Sequence, residues 1–251
     1  MDIKILLWNA RGWNNKKEEL YKRVQEYDIS VITETKSREY DLFRVPGYNK
    51  IEKQRDDQNG GGVAMFIKKS IQVKVLEETR NILDNMEILG VKCRGLSKKI
   101  NIIGIYRRPG RVERRGMWKE IINMYKIKPE ESTIMLGDFN AHSQVWNCGD
   151  TDSNGNNLLE EAEDMHMVIV NRDTLSRIEE GGVRPSNLDL MFTTNDIFDL
   201  LTYKQEKDSW GSDHYPIIFE MKIGRKIYKK QTNKITKKKT DWKEYEKIIR
   251  Q

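Results

Sequence analysis

Three observations predict an α/β fold, a four-layered sandwich of two packed mixed β-sheets flanked by helices. Short apolar runs outnumber helical patterns, many of them are joined too tightly for a helical crossover, and run after run ends in a polar residue. At 251 residues and 37% hydrophobic, the chain can bury one substantial core without being forced into a second. Residues 1–223 carry the patterned part, and 224–251 form an appendage.

Ile3 to Trp8 is a strand-like run that halts at Asn9-Ala10-Arg11-Gly12. Leu20, Val24 and Tyr27 then recur at helical spacing. Ile29 to Thr33 is a second strand, ending at Glu34-Thr35-Lys36. Gly60-Gly61-Gly62 breaks the chain before Val63–Ile67, and alternation resumes from Ile71 to Leu76, so these two runs read as consecutive antiparallel strands. Residues 87–92 and 99–106 repeat the pattern, the latter ending in Tyr106 and an Arg-rich loop with Pro109 and Gly110. Met117, Trp118, Ile121, Ile122 and Tyr125 form a core-facing helical stripe.

Ile134-Met135-Leu136 is a buried run that stops in Gly137-Asp138-Phe139-Asn140. Side chains alternate along a strand, so Asp138 and Asn140, two apart, are expected on one face beyond its end. Taken alone, the same residues also read as a turn. An Asp/Asn/Gly-rich loop at 147–157 precedes a helix carrying Leu158, Leu159, Ala162 and Met165. Met167 to Val170 is a short strand, 172–186 a polar segment, and Asn187 to Phe192 another apolar run. Ser212-Asp213-His214 then leads into Tyr215–Met221.

The net charge of +6 is unevenly spread: residues 222–251 hold twelve Lys/Arg against three Asp/Glu, leaving 33 basic against 36 acidic residues before them. The basic balance therefore belongs to the Lys-rich tail, which reads as a solvated linker followed by the first turns of a helix at Trp242, Tyr245, Ile248 and Ile249. In the globular part the clearest basic patch is Arg107, Arg108, Arg111, Arg114, Arg115 and Lys119. Cys93 and Cys148 lack paired spacing, so reduced thiols are expected. No run approaches the roughly 20 residues of a membrane span, and the N-terminus has no secretory pattern. A soluble, intracellular chain with no membrane partner and no secretion is the expectation.

Asn9, Glu34, Tyr106, Asp138, Asn140, Asn187, Asp189, Asp213 and His214 all interrupt or end apolar runs. Hydrolysis of a phosphodiester needs a hard cation, a positioned water and stabilisation of the leaving oxygen. Carboxylate and amide oxygens suit Mg²⁺, and Glu34 fits as its ligand. A carboxylate that holds a histidine fixes its tautomer and favours its charged form; Asp189 and His214 are natural partners for that.

In this order Asn9, Glu34-Thr35, Tyr106, Gly137-Asp138-Phe139-Asn140, Asn187-Leu188-Asp189 and Ser212-Asp213-His214 resemble the endonuclease/exonuclease/phosphatase superfamily, over the chain up to residue 221. Gly137 to His142 followed by Trp146, with Arg184-Pro185-Ser186 before Asn187, is similar to the apurinic-type endonuclease domain of non-LTR retrotransposons. The resemblance implies a Mg²⁺ cofactor, with Mn²⁺ as a substitute, held by Glu34 with Asn9 and Asp213 in its shell. Asp138, supported by Asn140, would activate the attacking water. Tyr106 would contact the scissile phosphate, and Asp189 would orient His214 toward it. Arg107, Arg108, Arg111, Lys36 and Asn187 would contact double-stranded DNA. The implied reaction is a nick in duplex DNA leaving a 3′-hydroxyl and a 5′-phosphate, which primes a reverse transcriptase encoded downstream in the same polyprotein. It implies nuclear action during target cleavage and a cytoplasmic location otherwise. Tyr106 is followed by Arg107-Arg108-Pro109 where the family commonly has two prolines soon after the tyrosine. Two other readings stand beside this one. An abasic-site repair endonuclease or other superfamily phosphoesterase would share the site, but no Phe, Tyr or Trp occurs between Asn171 and Asp189 to form part of a pocket for a flipped-out sugar. A nucleic-acid-binding module that kept the fold would be expected to have lost one of Glu34, Asp138, Asp189 or His214.

Overall fold

The computed structural model describes residues 2–37, 42–54, 60–78, 85–178 and 184–224. The first sheet has the order β11-β12-β1-β2-β4-β3, formed by Leu201–Gln205, Ile217–Met221, Ile3–Asn9, Ile29–Thr33, Val63–Lys68 and Tyr48–Lys53. The second has the order β5-β6-β7-β8-β10-β9, formed by Val73–Val75, Met86–Cys93, Ile100–Arg107, Thr133–Asp138, Asp189–Thr194 and Met167–Ile169. Each sheet contains one parallel pair, β1 with β2 and β7 with β8, and is otherwise antiparallel. A helix bridges each parallel pair, α1 (Lys17–Val24) in the first sheet and α2 (Met117–Met124) in the second. The two sheets thus repeat one strand plan, although the sequence has no visible repeat.

Strand parity sets the layers. Ile3, Ile5 and Leu7 of β1, Ile134 and Leu136 of β8, and Met191 of β10 meet in the core between the sheets. Leu6 and Trp8 face the other way, onto Leu20 and Val24 of α1. Met135, Leu190 and Phe192 pack with α2 and with α3 (Ser153–Asp164). Fully burying a side chain such as Ile134 or Leu136 contributes roughly 2 kcal/mol. A one-residue slip would exchange those faces, so the register is pinned. By the same parity Asn9, Asp138 and Asp189 point into the seam between the sheets.

Two expectations about strand organisation are corrected. Val63–Ile67 and Ile71–Leu76 do not pair: β4 lies in the first sheet and β5 in the second, and the chain crosses between them around Ser70. Alternation alone cannot distinguish a hairpin from a crossover between sheets. The polar loop at 147–157 ends earlier than expected, because Asp152 caps α3 by accepting a hydrogen bond from the Gly155 amide at 2.6 Å and the Asn/Gly-rich stretch after it is helical. The remaining short helix, α4 (Asn195–Phe198), links β10 to β11. No helix among the described residues is long and apolar enough to cross a membrane. The Lys-rich tail and its aromatic residues lie outside the described residues.

Candidate active site

The polar strand ends converge at one end of the sandwich. In the second sheet, Glu87, Tyr106, Asp138 and Asp189 stand directly opposite one another across β6, β7, β8 and β10. In the first, Asn9 ends β1, Glu34 follows β2, and His214 lies just before β12. Hydrogen bonds between side chains join the sheets there. Asn9 Nδ2 donates to Asp138 Oδ2 at 2.8 Å and to Glu34 Oε1 at 3.0 Å, and His214 Nδ1 lies 2.5 Å from Asp189 Oδ2.

Gly137 fixes the approach to Asp138. With φ +156°, it brings the backbone so close to β7 that a Cβ would lie 1.8 Å from the Ile105 carbonyl oxygen. No other residue fits there. Past Asp138 the strand stops. Asp138 Oδ1 accepts from the Asn140 amide at 2.9 Å, Phe139 turns into the helix-side core, and Asn140 takes a left-handed backbone. The expected shared face of Asp138 and Asn140 is therefore replaced by a turn. The Asn140 side chain donates to the Arg107 carbonyl at 2.7 Å, which places it as a brace beside the site.

Arg107 is the main correction. It is not a surface contact for DNA: it is buried, and its guanidinium donates to the carbonyls of Phe139, Asn140, Arg108 and Arg111 at 2.7–2.9 Å. It ties the loop after β7 to the turn after Asp138. Arg111 is exposed and Arg108 half-buried. Arg114 and Arg115 pair with Glu120 and Glu160, so the patch is less positive than its composition indicates.

Asn187, also expected to touch DNA, is fully buried. Its amide donates to the Asn171 carbonyl at 2.8 Å and its oxygen accepts from Thr174 Oγ1 at 2.7 Å. Asn171 in turn donates to the Asp189 carbonyl and accepts from the Met191 amide, while Ser176 Oγ accepts from the amides of Leu188 and Asp189. Asn171, Thr174 and Ser176 thus set the start of β10, and with it Asp189. Sequence reasoning missed all three because each sits in a segment that reads only as polar. Glu87 was missed too; its buried carboxylate accepts from the Gly62 amide at 3.3 Å.

Glu34 and Lys36 occupy left-handed backbone positions, an uncommon conformation for such residues. Lys36 Nζ lies 3.3 Å from Glu34 Oε2, and its stem runs beside Gly12 and Gly60. Asp213 lies outside the Asp138, Asp189 and His214 cluster: its Oδ2 pairs with Arg11 Nη1 at 3.1 Å. Asn9 Oδ1 accepts from the Arg11 amide at 2.9 Å. As arranged, Asn9 offers its N–H groups to the two carboxylates.

The electrostatics follow from crowding. Burial and the charges of Asp189 and Glu34 push the Asp138 carboxyl up to about 7, against the pull of His214. Burial lowers the His214 pKa, but the charge and hydrogen bond of Asp189 overcome it and raise it to about 9. Tyr106 is held well above its ordinary range by burial and by Glu34, so its hydroxyl stays protonated. Asp189 Oδ1 is buried without a hydrogen-bond partner among the described residues. The site thus holds more negative charge and acceptor capacity than its own donors satisfy, which suits a hard divalent cation. Asp138, Asp189 and His214 offer donor atoms within 4.8 Å of one another. An imidazolium has no lone pair to give, however, so the carboxylates are the better ligands.

Comparison with known proteins now bears on the whole arrangement. A family model described as endonuclease-reverse transcriptase matches residues 100–218, the span that carries Tyr106, Asp138, Asp189 and His214. The likeness to solved structures shows the fold, the two-sheet α/β sandwich expected above. It is 29% identical over 157 residues, 59% of its length, to a probable RNA-directed DNA polymerase from transposon BS of Drosophila melanogaster. It is 22% identical over 95% of its length to the corresponding protein of the X-element transposon of the same species. The chain spans 16% and 26% of the lengths of these relatives. Among solved structures, the endonuclease domain of TRAS1, a telomere-specific non-LTR retrotransposon, superposes with a TM-score of 0.68 at 20% identity, covering 88% of this chain and 98% of that one. An AP endonuclease from Leishmania major gives 0.65 at 14% identity, covering 90% and 88%.

Proposed function

We propose that this domain nicks duplex DNA by Mg²⁺-supported hydrolysis of one phosphodiester, leaving a 3′-hydroxyl and a 5′-phosphate. The 3′-hydroxyl then primes reverse transcription by a polymerase encoded downstream in the same polyprotein. Residues 1–223 form the nuclease, 224–251 lead toward the next segment, and the target is nuclear DNA. The observation that carries this reading is the placing of Asp138 beside Asp189 in one sheet while His214 reaches Asp189 across the seam, with the opposite charge preferences just described.

Glu34 would hold Mg²⁺ or Mn²⁺, which when bound supplies positive charge beside the phosphate oxygens. Asp138, as carboxylate, takes a proton from the attacking water while Asn9 steadies its other oxygen. The water oxygen bonds to phosphorus as the bond to O3′ breaks, and O3′ leaves as a hydroxyl after taking a proton from solvent. His214, cationic and oriented through Nδ1, turns its other N–H toward the phosphate and stabilises the added charge. The Tyr106 hydroxyl is a second donor.

Supercoiled plasmid is the test. Wild type converts it to nicked circles with Mg²⁺ and not with chelator, while Asp138→Ala and His214→Ala leave it supercoiled. Absence of nicking by wild type, or nicking by both variants at the wild-type rate, overturns the mechanism. A polymerase that extends the nicks without end repair verifies the 3′-hydroxyl. Cleavage confined to abasic duplex would move the domain to repair.

A further inference from the structure

Three donors meet the Glu34 carboxylate. Asn9 Nδ2 reaches Oε1 at 3.0 Å, the Tyr106 side chain is hydrogen-bonded to it, and Lys36 Nζ lies 3.3 Å from Oε2. Of the three, Lys36 carries the charge, and it stands on the oxygen opposite Asn9.

The backbone puts the lysine there. Residues 34–36 are threaded between two loops of the first sheet. On one side the amides of Gly12 and Trp13 donate to the carbonyls of Glu34 and Thr35 at 2.7 and 3.1 Å; on the other, the amides of Thr35 and Lys36 donate to the carbonyls of Gly62 and Gly61 at 3.3 and 2.8 Å. These bonds hold Glu34 and Lys36 left-handed, at φ +46° and +47°, which costs residues with side chains energy. The Lys36 stem then runs in a slot between two glycines. A Cβ on Gly12 would lie 3.3 Å from Lys36 Cδ, and one on Gly60 3.4 Å from Cε. A larger residue on either side would crowd the stem, so the slot keeps the ammonium within reach of Glu34.

Folding gains little from the result, because the two side chains are 41% and 19% exposed. The effect falls on what else Glu34 can hold. A divalent cation on Oε2 and an ammonium beside the same oxygen repel each other, so one must yield. A lysine ammonium is a point charge on a flexible stem and can turn to another anion. The anion that the proposed reaction brings is a DNA phosphate.

We propose that Lys36 is the resident counter-cation of Glu34, that a divalent cation displaces it, and that a DNA phosphate takes it up. DNA and the metal then help each other onto the site, and by linkage the gain is mutual. This inference rests on the nuclease reading above and adds the coupling between its two ligands.

Mn²⁺ binding followed by electron paramagnetic resonance tests it without turnover. Lys36→Met leaves an apolar stem in the slot and removes the charge. Without DNA it is expected to bind Mn²⁺ about fivefold more tightly than wild type, the equivalent of about 1 kcal/mol for a lost competing ion pair. Lys16 is the control for charge alone: its Nζ donates to the Ala10 carbonyl at 2.5 Å, and its charge and that of Glu34 act on each other. Lys16→Met is expected to stay within about twofold of wild type. The second measurement adds intact duplex, in an Asp138→Asn background to slow cutting. Duplex is expected to tighten Mn²⁺, and Lys36→Met to reduce that gain by the same factor of about five. A Mn²⁺ affinity of Lys36→Met equal to wild type, an equal gain in Lys16→Met, or a duplex effect undiminished by Lys36→Met overturns the proposal. If wild type binds Mn²⁺ and nicks plasmid while any of these holds, only this inference fails. If wild type neither binds Mn²⁺ nor nicks, the nuclease reading fails and takes the inference with it.

Discussion

Glu34 and Asp138 occupy matching places in the two sheets, at the end of the second strand of each parallel pair, yet they are built differently. Asp138 is still within its strand, wholly buried, and approached through a glycine that no other residue can replace. Glu34 has left its strand, its side chain is 19% exposed, and its backbone is left-handed. A group that moves a proton benefits from burial, because burial sets its affinity for that proton. A group that takes a cation from solution needs access. One strand plan used twice has yielded a sealed side and an open side, and the proposed chemistry divides along the same line.

The strongest break comes on the sealed side. Asp138→Asn is expected to lower kcat about 10³-fold, within the range for loss of a general base, with melting temperature unchanged or raised, as measured by plasmid nicking and calorimetry. Next is Arg107→Ala, which strips four carbonyls of a charged donor. A loss of about 3 kcal/mol is expected in urea unfolding, and a wild-type midpoint would show that the buried arginine does not hold the loop. The pH profile sharpens the contrast further. The proposed mechanism requires Asp138 ionised and His214 protonated, so the rate should rise toward pH about 7 and fall above about 9, roughly tenfold per unit on either limb. Saturating Mg²⁺ should move the acid limb to lower pH, since a bound cation favours the carboxylate, and leave the alkaline limb in place. A single monotonic limb would remove one of the two roles. The smallest effect belongs to the open side: Lys36→Gln should raise KM about two- to fivefold with kcat nearly unchanged, and the change should shrink at high salt.

Much of this was legible in the sequence, and the failures share a cause. Apolar runs with inward parity gave the sheet cores and the strand ends at Asn9, Asp138 and Asp189, because burial leaves a periodic signature. The edge strands β3 and β11 escaped notice: Tyr48–Lys53 is half-buried without clean alternation, and Leu201–Gln205 alternates but over only five residues, none of them fully buried. Arg107 and Asn187 were placed at the DNA surface on their chemical type alone. Nothing in a sequence says that an arginine beside a strand end will meet four carbonyls instead of phosphates. Asn171, Thr174 and Ser176 show the complementary blindness: buried polar networks are assembled from residues far apart in the chain, and their composition looks like a loop.

The strand order of the first sheet carries a further consequence for how the enzyme comes into being. β1 lies between β2 and β12, and its pairing with β12 joins residues as distant as Ile3 and Met221; such distant pairing is slow to form. Until residue 221 has left the ribosome, the sheet has no partner on one side of β1, and His214 has no strand to fix it opposite Asp189. A nascent chain of this domain therefore has no assembled cutting centre. On the proposed function, competence to cut DNA arrives only with the completed fold.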